Sequence, residues 1–505
     1  MVLLAGLVLA LGPGGVFAYL ASDDAGTPVV RSPSAIEIEF VPAGSANWQV
    51  LGPSDRSEFG QSVAFAGNVD GYGGDDVIVG APIKGASQGE GTAYLYLNNA
   101  GAALNTTASW EKSGGAQGAY YGQSVAGAGD VNGDNYDDVI IGAPGFKTEF
   151  KVGRAYLYQG EPSAAGLTID HTWSYTGTVQ DGDFGHVVAG AGDVNNDGYD
   201  DVIVGAPYYT DPLDPQDSEG AVYLFYGSDS EEGLHEAPDW LIDSDQPNTL
   251  FGWSMSAAGY VNDDTYADFI VGAPRYVNPE TGLREGAVLL FLGGASQPAG
   301  PAWIAYGGQE YSWFGNAVAG AGDVNGDGHP DIVVGARLYD KQYLGQVGAA
   351  FAFCGNGASF DSDPCWMAYG DQVGLEWGYG TAVGGAGDVN ADGFEDIIVG
   401  APSRLERLPD DTQPEGAAFI YFGSATGLAP WAGWKARGDK ARTQFGFSVD
   451  GGGQVTGNAA DSVVIGAPKY WKSEVPWGAA FSFYGPLEPG ELNRTYLPLV
   501  MSNAN

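Results

Sequence analysis

Residues Phe184 to Pro207 read FGHVVAGAGDVNNDGYDDVIVGAP, and this stretch decides the fold. A Phe-Gly pair opens a strand of small residues, and a nine-residue loop of carboxylates and asparagine follows. An apolar run, VIV, then leads to the stop Gly205-Ala206-Pro207. The pattern returns with Phe59, Tyr121, Phe251, Phe314, Tyr379 and Phe445 in first position. The loops begin at positions 68, 130, 193, 260, 323, 388 and 454, so the steps are 62, 63, 67, 63, 65 and 66 residues. Seven copies at a near-constant spacing indicate a repeat architecture, in which stacked neighbours bury what one unit cannot.

Each copy also carries a tryptophan: Trp48, Trp110, Trp173, Trp240, Trp303, Trp366 and Trp434. After each Gly-Ala-Pro comes a variable loop and an alternating aromatic strand, for example GTAYLYL, GAVYLFY or GAAFSFY. Four strands per unit follow: the Phe-Gly strand, the VIV strand, the aromatic strand and the Trp strand. A run such as VIV, apolar on both faces, suits a strand squeezed between neighbouring sheets. The fold class is therefore all-β, a seven-bladed β-propeller of four-stranded antiparallel blades. The first recognisable strand is a lone Trp strand near Asn47 to Leu51, and the last is the aromatic strand Gly478 to Tyr484. The seventh blade is complete only if the N-terminal strand supplies its outer edge, which also removes a free sheet edge. The expected boundaries are a leader at 1–18, a linker at 19–45, the propeller at 46–485 and a tail at 486–505.

Composition narrows the partners. The 505 residues contain 20 Lys and Arg against 63 Asp and Glu, a formal net charge of −43. Such a charge disfavours nucleic acid and anionic membranes and favours cations. Residues 2–11, VLLAGLVLAL, followed by Val16-Phe17-Ala18, read as a secretory signal, although no Lys or Arg precedes the apolar run. The run is too short to span a bilayer, as is Tyr496-Leu-Pro-Leu-Val-Met501 in the tail. Export makes a disulfide between Cys354 and Cys365 the expected state of the two cysteines. Asn105-Thr106-Thr107 and Asn493-Arg494-Thr495 are glycosylation sequons. Gly85-Ala86-Ser87-Gln88-Gly89 has the form of a hydrolase nucleophile motif but lies between strands, and the four histidines show no triad spacing. Arg437-Gly438-Asp439 is explained in two of its three residues by the repeat itself.

The loops carry the chemistry. Four of them share D-V-N-x-D-x-x-x-D: Asp130, Asn132, Asp134 and Asp138; Asp193, Asn195, Asp197 and Asp201; Asp323, Asn325, Asp327 and Asp331; Asp388, Asn390, Asp392 and Asp396. Hard oxygen ligands at positions 1, 3, 5 and 9 can converge on one cation. The backbone carbonyl of position 7 (Tyr136, Tyr199, His329, Phe394) can add another. Oxygen-only coordination of this kind selects Ca²⁺ over zinc or copper, giving about four structural sites. An EF-hand is excluded because position 12 is Ile141, Val204, Val334 or Val399 in place of an acid. The competing reading is a metal-free hairpin whose side chains bond their own backbone. Three further loops are degraded. Asn68, Asp70 and Asp76 remain in the first, and Asn262, Asp264 and Asp268 in the fourth. The seventh offers Gln454, Thr456, Asn458 and Ser462 and is expected to be empty.

The motif FG…GDVNxDGxxDVIVGAP resembles the FG-GAP repeats of the integrin α-subunit head. That resemblance covers residues 46–485 and implies Ca²⁺ in hairpins on the lower rim, ligand recognition on the upper face and ring closure by the N-terminal strand. With no leg module, membrane span or inserted ligand-binding domain in the sequence, it implies a free-standing, prokaryotic relative. The expected function is a secreted or surface-exposed binding or adhesion module, monomeric and without catalysis, for an extracellular protein or glycan. The alternative is a polysaccharide lyase or hydrolase on the same scaffold. Arg404, Arg407, Lys435, Arg437, Lys440, Arg442, Lys469 and Lys472 place 8 of the 20 basic residues within 69 positions, a candidate patch for an anionic ligand.

Overall fold

The computed structural model describes residues 40–487 apart from 84–88, 99–102, 214–217, 245, 299, 342–344, 373–377, 405–413 and 473–474. It also describes the backbone of Tyr19–Ser22 and Pro28–Arg31, which pair antiparallel in a separate unit. The expected leader, Arg407 and all but the first two residues of the tail lie outside the described residues, as do most of the nucleophile-like string and the second sequon.

The compact unit Val41–Glu488 is a seven-bladed β-propeller. Blade 1 runs from its inner to its outer strand through Ser62–Gly67, Asp76–Ala81, Thr92–Tyr96 and Trp110–Ser113. Blades 2 to 6 repeat this order, with inner strands beginning at Ser124, Val187, Ser254, Phe314 and Ala382. In blade 7 the inner three strands are Ser448–Gly453, Ser462–Ala467 and Ala479–Tyr484, and the fourth is Trp48–Leu51. Trp48 pairs with Ser482 and Leu51 with Ala479, antiparallel, so the ends of the ring are joined as the strand order required. Residues 41–45, read as the end of the linker, belong to the propeller instead. Val41–Pro42 adds a short parallel fifth strand to blade 6, and Ala43 is fully buried. The reason is local: the two residues pair only with Ala436 and Arg437, too short a strand to leave a period in the sequence.

The second strand of every blade, such as Asp201–Ala206, is buried at all six positions because it has sheet on both sides and blades on both faces. The Phe or Tyr of each Phe-Gly pair packs between its own blade and the preceding one: the Phe184 ring lies 4.9 Å from Tyr223 of its own blade, while its backbone reaches back to the blade before. Phe184 bridges Gly153, and Phe59 bridges Gly478 to lock blade 1 to blade 7. The two glycines of the repeat exist for each other. A Cβ on Gly142, of one Gly-Ala-Pro, would stand 2.1 Å from the carbonyl oxygen of Gly185, of the next Phe-Gly. The same meeting recurs between Gly80 and Gly122, and between Gly466 and Gly60 across the closure.

The outer tryptophan clamps consecutive blades. Trp110, Trp173 and Trp366 donate Nε1–H to the carbonyls of Thr168, His235 and Ala429 in the following blade, at 3.0, 2.9 and 2.9 Å. Trp48 makes the equivalent bond across the closure, to Asn105 at 2.7 Å. Cys354 and Cys365 form the expected disulfide, with Cα atoms 5.9 Å apart.

Candidate functional site

Each acidic loop joins the inner strand to the second strand at one end of the ring. In blade 2 the Asp130 carboxylate accepts from the backbone N–H of Gly133, Asp134 and Asn135 at 2.7, 3.0 and 2.8 Å. Asp134 accepts from Tyr136 N–H, and Asn132 Nδ2 donates to Asp134 at 3.0 Å. Blades 3, 5 and 6 repeat this arrangement around Asp193, Asp323 and Asp388. The side chains at positions 1, 3 and 5 therefore shape the hairpin by bonding its own backbone. Position 7 contributes Tyr136, Tyr199, His329 and Phe394, each tied by its N–H to the position-5 carboxylate.

Position 9 has a role that sequence reasoning missed. Asp138 is fully buried, and its two oxygens accept from Val131 N–H at 3.0 Å and Gly160 N–H at 2.8 Å. It thus ties the loop to the third strand. Asp201, Asp331 and Asp396 do the same, and so do Asp76 and Asp268 in the degraded loops. Burial pushes Asp76, Asp138, Asp201 and Asp396 up to about 8, with neighbouring carboxylates adding to the shift against the backbone bonds that lower it. Asp331 rises to about 7 and Asp268 to about 6, from the same cause. In blade 7 the position is Ser462, whose buried hydroxyl has no partner among the described residues, nor has that of Thr456.

Position 8 was also missed, although an acid recurs there in five of the seven loops. Asp137, Asp200, Asp461 and Asp75 accept from the first loop residue of the preceding blade, Asn68, Asp130, Asp388 and Gln454, at 2.7, 3.0, 2.8 and 2.8 Å. The glycines that end the inner strands of blades 1, 2 and 6, Gly67, Gly129 and Gly387, make room for Asp137, Asp200 and Asp461. Gly129 has φ +74°, and a Cβ there would fall 2.1 Å from Asp200 Oδ2. These carboxylates are braces between blades at the lower mouth of the central channel. Asp450, on the inner strand of blade 7, braces blade 1 from inside the channel by accepting from Phe65 N–H at 2.8 Å.

A hard cation fits this donor set in chemistry: two solvent-facing carboxylates, an amide oxygen and a buried carboxylate per loop. Among the described residues no Lys or Arg pairs with any of those carboxylates. Nor do three acidic, His or Cys side chains converge on one point among the described residues. That is the geometry expected of oxygens occupied with their own backbone.

The basic cluster of blades 6 and 7 is largely engaged. Arg404 meets Asp371 with two bonds, at 3.2 and 2.6 Å, and Arg437 lies 3.9 Å from the buried Glu415. Lys469 pairs with Glu58, Lys440 donates to Trp471 O at 3.0 Å, and Lys472 stands over Trp477. Arg442 lies in the left-handed region at φ +61°. Lys435 lines a cavity of about 200 Å³ with Asp371, Arg404 and the exposed Trp431. Within Arg437-Gly438-Asp439, the last carboxylate accepts from the Tyr470 hydroxyl, so both charged ends are internally occupied.

A closed ring of seven blades with an acidic hairpin on the inner edge of nearly every blade defines a class of repeat propeller. Residues 121–158, 184–225, 314–351 and 379–421 match the FG-GAP repeat, and these are the four blades with the full acidic pattern. Integrin alpha pat-2 of Caenorhabditis elegans is 34% identical over 238 residues, covering 43% of this chain and 18% of that protein. Integrin alpha-IIb of Mus musculus is 38% identical over 161 residues, 30% of this chain and 15% of that protein. The chain thus carries FG-GAP repeats in a propeller like that of integrin α subunits, and its alignments span less than a fifth of either relative. Among solved structures, Sqt1 from Chaetomium thermophilum aligns over 87% of this chain and 99% of its own, at 12% identity and a TM-score of 0.42. No helix among the described residues is long and apolar enough to cross a membrane.

Proposed function

We propose that this propeller is a calcium-stabilised binding module that recognises an extracellular protein or glycan through the face opposite its acidic hairpins and performs no chemistry. The observation that carries the reading is the set of loop carboxylates in blades 2, 3, 5 and 6 with no Lys or Arg beside them among the described residues. Asp130, Asn132, Asp134, Tyr136 O and Asp138, with their equivalents in the other three blades, would hold Ca²⁺, which supplies the missing positive charge. The similarity to integrin α subunits supports a surface or secreted location and an adhesive role. The acidic face serves the fold, which leaves the opposite loops for recognition.

Extracellular calcium modules bind at about 10⁻⁴–10⁻³ M, and at ten times Kd each site adds about 1.4 kcal/mol, so four add about 6 kcal/mol. Thermal denaturation with Ca²⁺ and with EGTA, alongside elemental analysis, tests this. A melting point unmoved by EGTA, or protein free of calcium after preparation in its presence, would sink the reading. A glycan array and a lyase assay on the same samples separate binding from turnover, and cleavage would favour the enzymatic alternative.

A further inference from the structure

At the channel mouth opposite the hairpins, blades 3 to 5 bring together a histidine, two tryptophans and two arginines, whereas the residue after the Phe-Gly pair is Gln61, Gln123, Thr381 or Phe447 in the other blades. The residue after each Phe-Gly stands at this mouth, because it precedes or opens the hairpin-distal end of the inner strand. In these blades it is His186, Trp253 and Asn316. The Trp253 ring lies 4.7 Å from His186 and 5.7 Å from Trp313, centroid to centroid. Over Trp313 stand two guanidiniums, Arg337 at 4.0 Å and Arg275 at 5.3 Å. All five are half-buried.

Two departures from the repeat build this cluster. Blade 5 ends its second strand with Gly335-Ala336-Arg337 where the other six have Gly-Ala-Pro. The N–H that proline would lack donates to Asn316 Oδ1 at 2.9 Å, and Asn316 Nδ2 donates to the carbonyls of Gly380 and Thr381 in blade 6. Arg337 is therefore held at its root from two blades. Trp313 sits at φ +60°, the conformation that the repeat imposes before each of six Phe-Gly pairs, here on Glu58, Tyr120, Asp183, Leu250 and Gln444 as well. Glu58 and Asp183 occupy that position in blades 1 and 3, and each is neutralised by a lysine, Lys469 and Lys151. Among the described residues Arg275 has no ion pair. In a chain of net charge −43, this mouth is thus a cationic and aromatic surface.

We propose that Arg275, Arg337, Trp313, Trp253 and His186 bind a carboxylate-bearing sugar of an acidic polysaccharide, an inference that rests on the upper face being the recognition face. Guanidinium forks match a carboxylate. The half-exposed Trp253 ring gives a surface for the apolar face of a pyranose, which an acidic peptide does not present. Burial, with Lys151 adding to it, lowers the pKa of His186 to about 4, so the imidazole beside Trp253 is neutral and adds no charge to the cluster.

The test titrates a short oligogalacturonate into the full chain in calcium, read by tryptophan fluorescence and calorimetry, with a neutral galactose oligomer and oligoglutamate as comparators. Arg275→Gln and Arg337→Gln are each expected to weaken oligogalacturonate binding about tenfold, with unchanged melting points. The neutral oligomer and oligoglutamate are expected to bind at least about tenfold more weakly than the uronate. No binding by the wild-type chain, equal affinity in the double variant, or equal binding of oligoglutamate would overturn the proposal. Any of these with calcium stabilisation intact removes this ligand and leaves the wider reading standing, whereas loss of the calcium effect removes the wider reading itself.

Discussion

Removing the Trp48 side chain tests how the ring is closed. Trp48 is 2% exposed, its ring lies 5.1 Å from Tyr96 of blade 1, and its Nε1–H reaches Asn105 O at 2.7 Å. Trp48→Ala should cost about 3–5 kcal/mol for the vacated volume. The lost hydrogen bond adds about 1 kcal/mol. Trp240→Ala, at 3% exposure, creates a comparable hole in an unbroken part of the chain. The two variants should therefore lose similar global stability by urea denaturation. They should differ in where they open. In Trp48→Ala the four-residue strand Trp48–Leu51 keeps its ladder, the buried Val50 and the bond from Tyr484 N–H to Asn47 Oδ1 but loses its largest anchor, so hydrogen exchange should rise across Ala479–Tyr484 ahead of global unfolding. In Trp240→Ala no strand can leave, and exchange should track global stability. Equal protection of Ala479–Tyr484 in both variants would refute the idea that this strand is the weakest joint.

Three further perturbations follow from the geometry. Burial raises Asp450 to about 6, so the folded state holds its proton more tightly than the unfolded chain, and its contribution to stability is present below about pH 4 and lost as pH rises through 6. Asp450→Asn keeps the acceptor for Phe65 N–H and should raise stability at pH 8 by about 3 kcal/mol while leaving it nearly unchanged at pH 4, measured by urea denaturation. Gly142→Ala places a methyl 2.1 Å from Gly185 O and should destabilise by about 3 kcal/mol or more, or prevent folding, in the same assay. Replacing Cys354 and Cys365 by Ser opens a loop of separation 11 and should cost about 3 kcal/mol in calorimetry under oxidising conditions.

Periodicity made the ring legible. The Phe-Gly, VIV, aromatic and Trp runs each mark one strand of a blade, and the lone Trp48 strand foretold the closure. What stayed hidden were interactions between repeats. Position 9 reads as one more ligand in a list of acids, yet Asp138 is buried and bonded to the third strand, a partner 22 residues away. The position-8 carboxylates were visible as a column in the aligned repeats but not as braces, because Asp200 and the amide of Asp130 it accepts from belong to different units. Arg337 was the sharpest missed signal: six copies of Gly-Ala-Pro and one Gly-Ala-Arg mark the point where the repeat was altered. The clustered cations of blades 6 and 7 drew attention by density, while charge density along a chain says nothing about which carboxylates fold back onto it.

The N-terminal segment straddles two blades. Val41–Pro42 lies along the outer strand of blade 6, Ala43 is buried, and Trp48–Leu51 completes blade 7. Tension applied from that end would meet the short parallel ladder first, and the closing strand would carry load only after it had peeled away. The propeller would then yield in stages, with a small sacrificial contact shielding the seam on which its circular integrity depends.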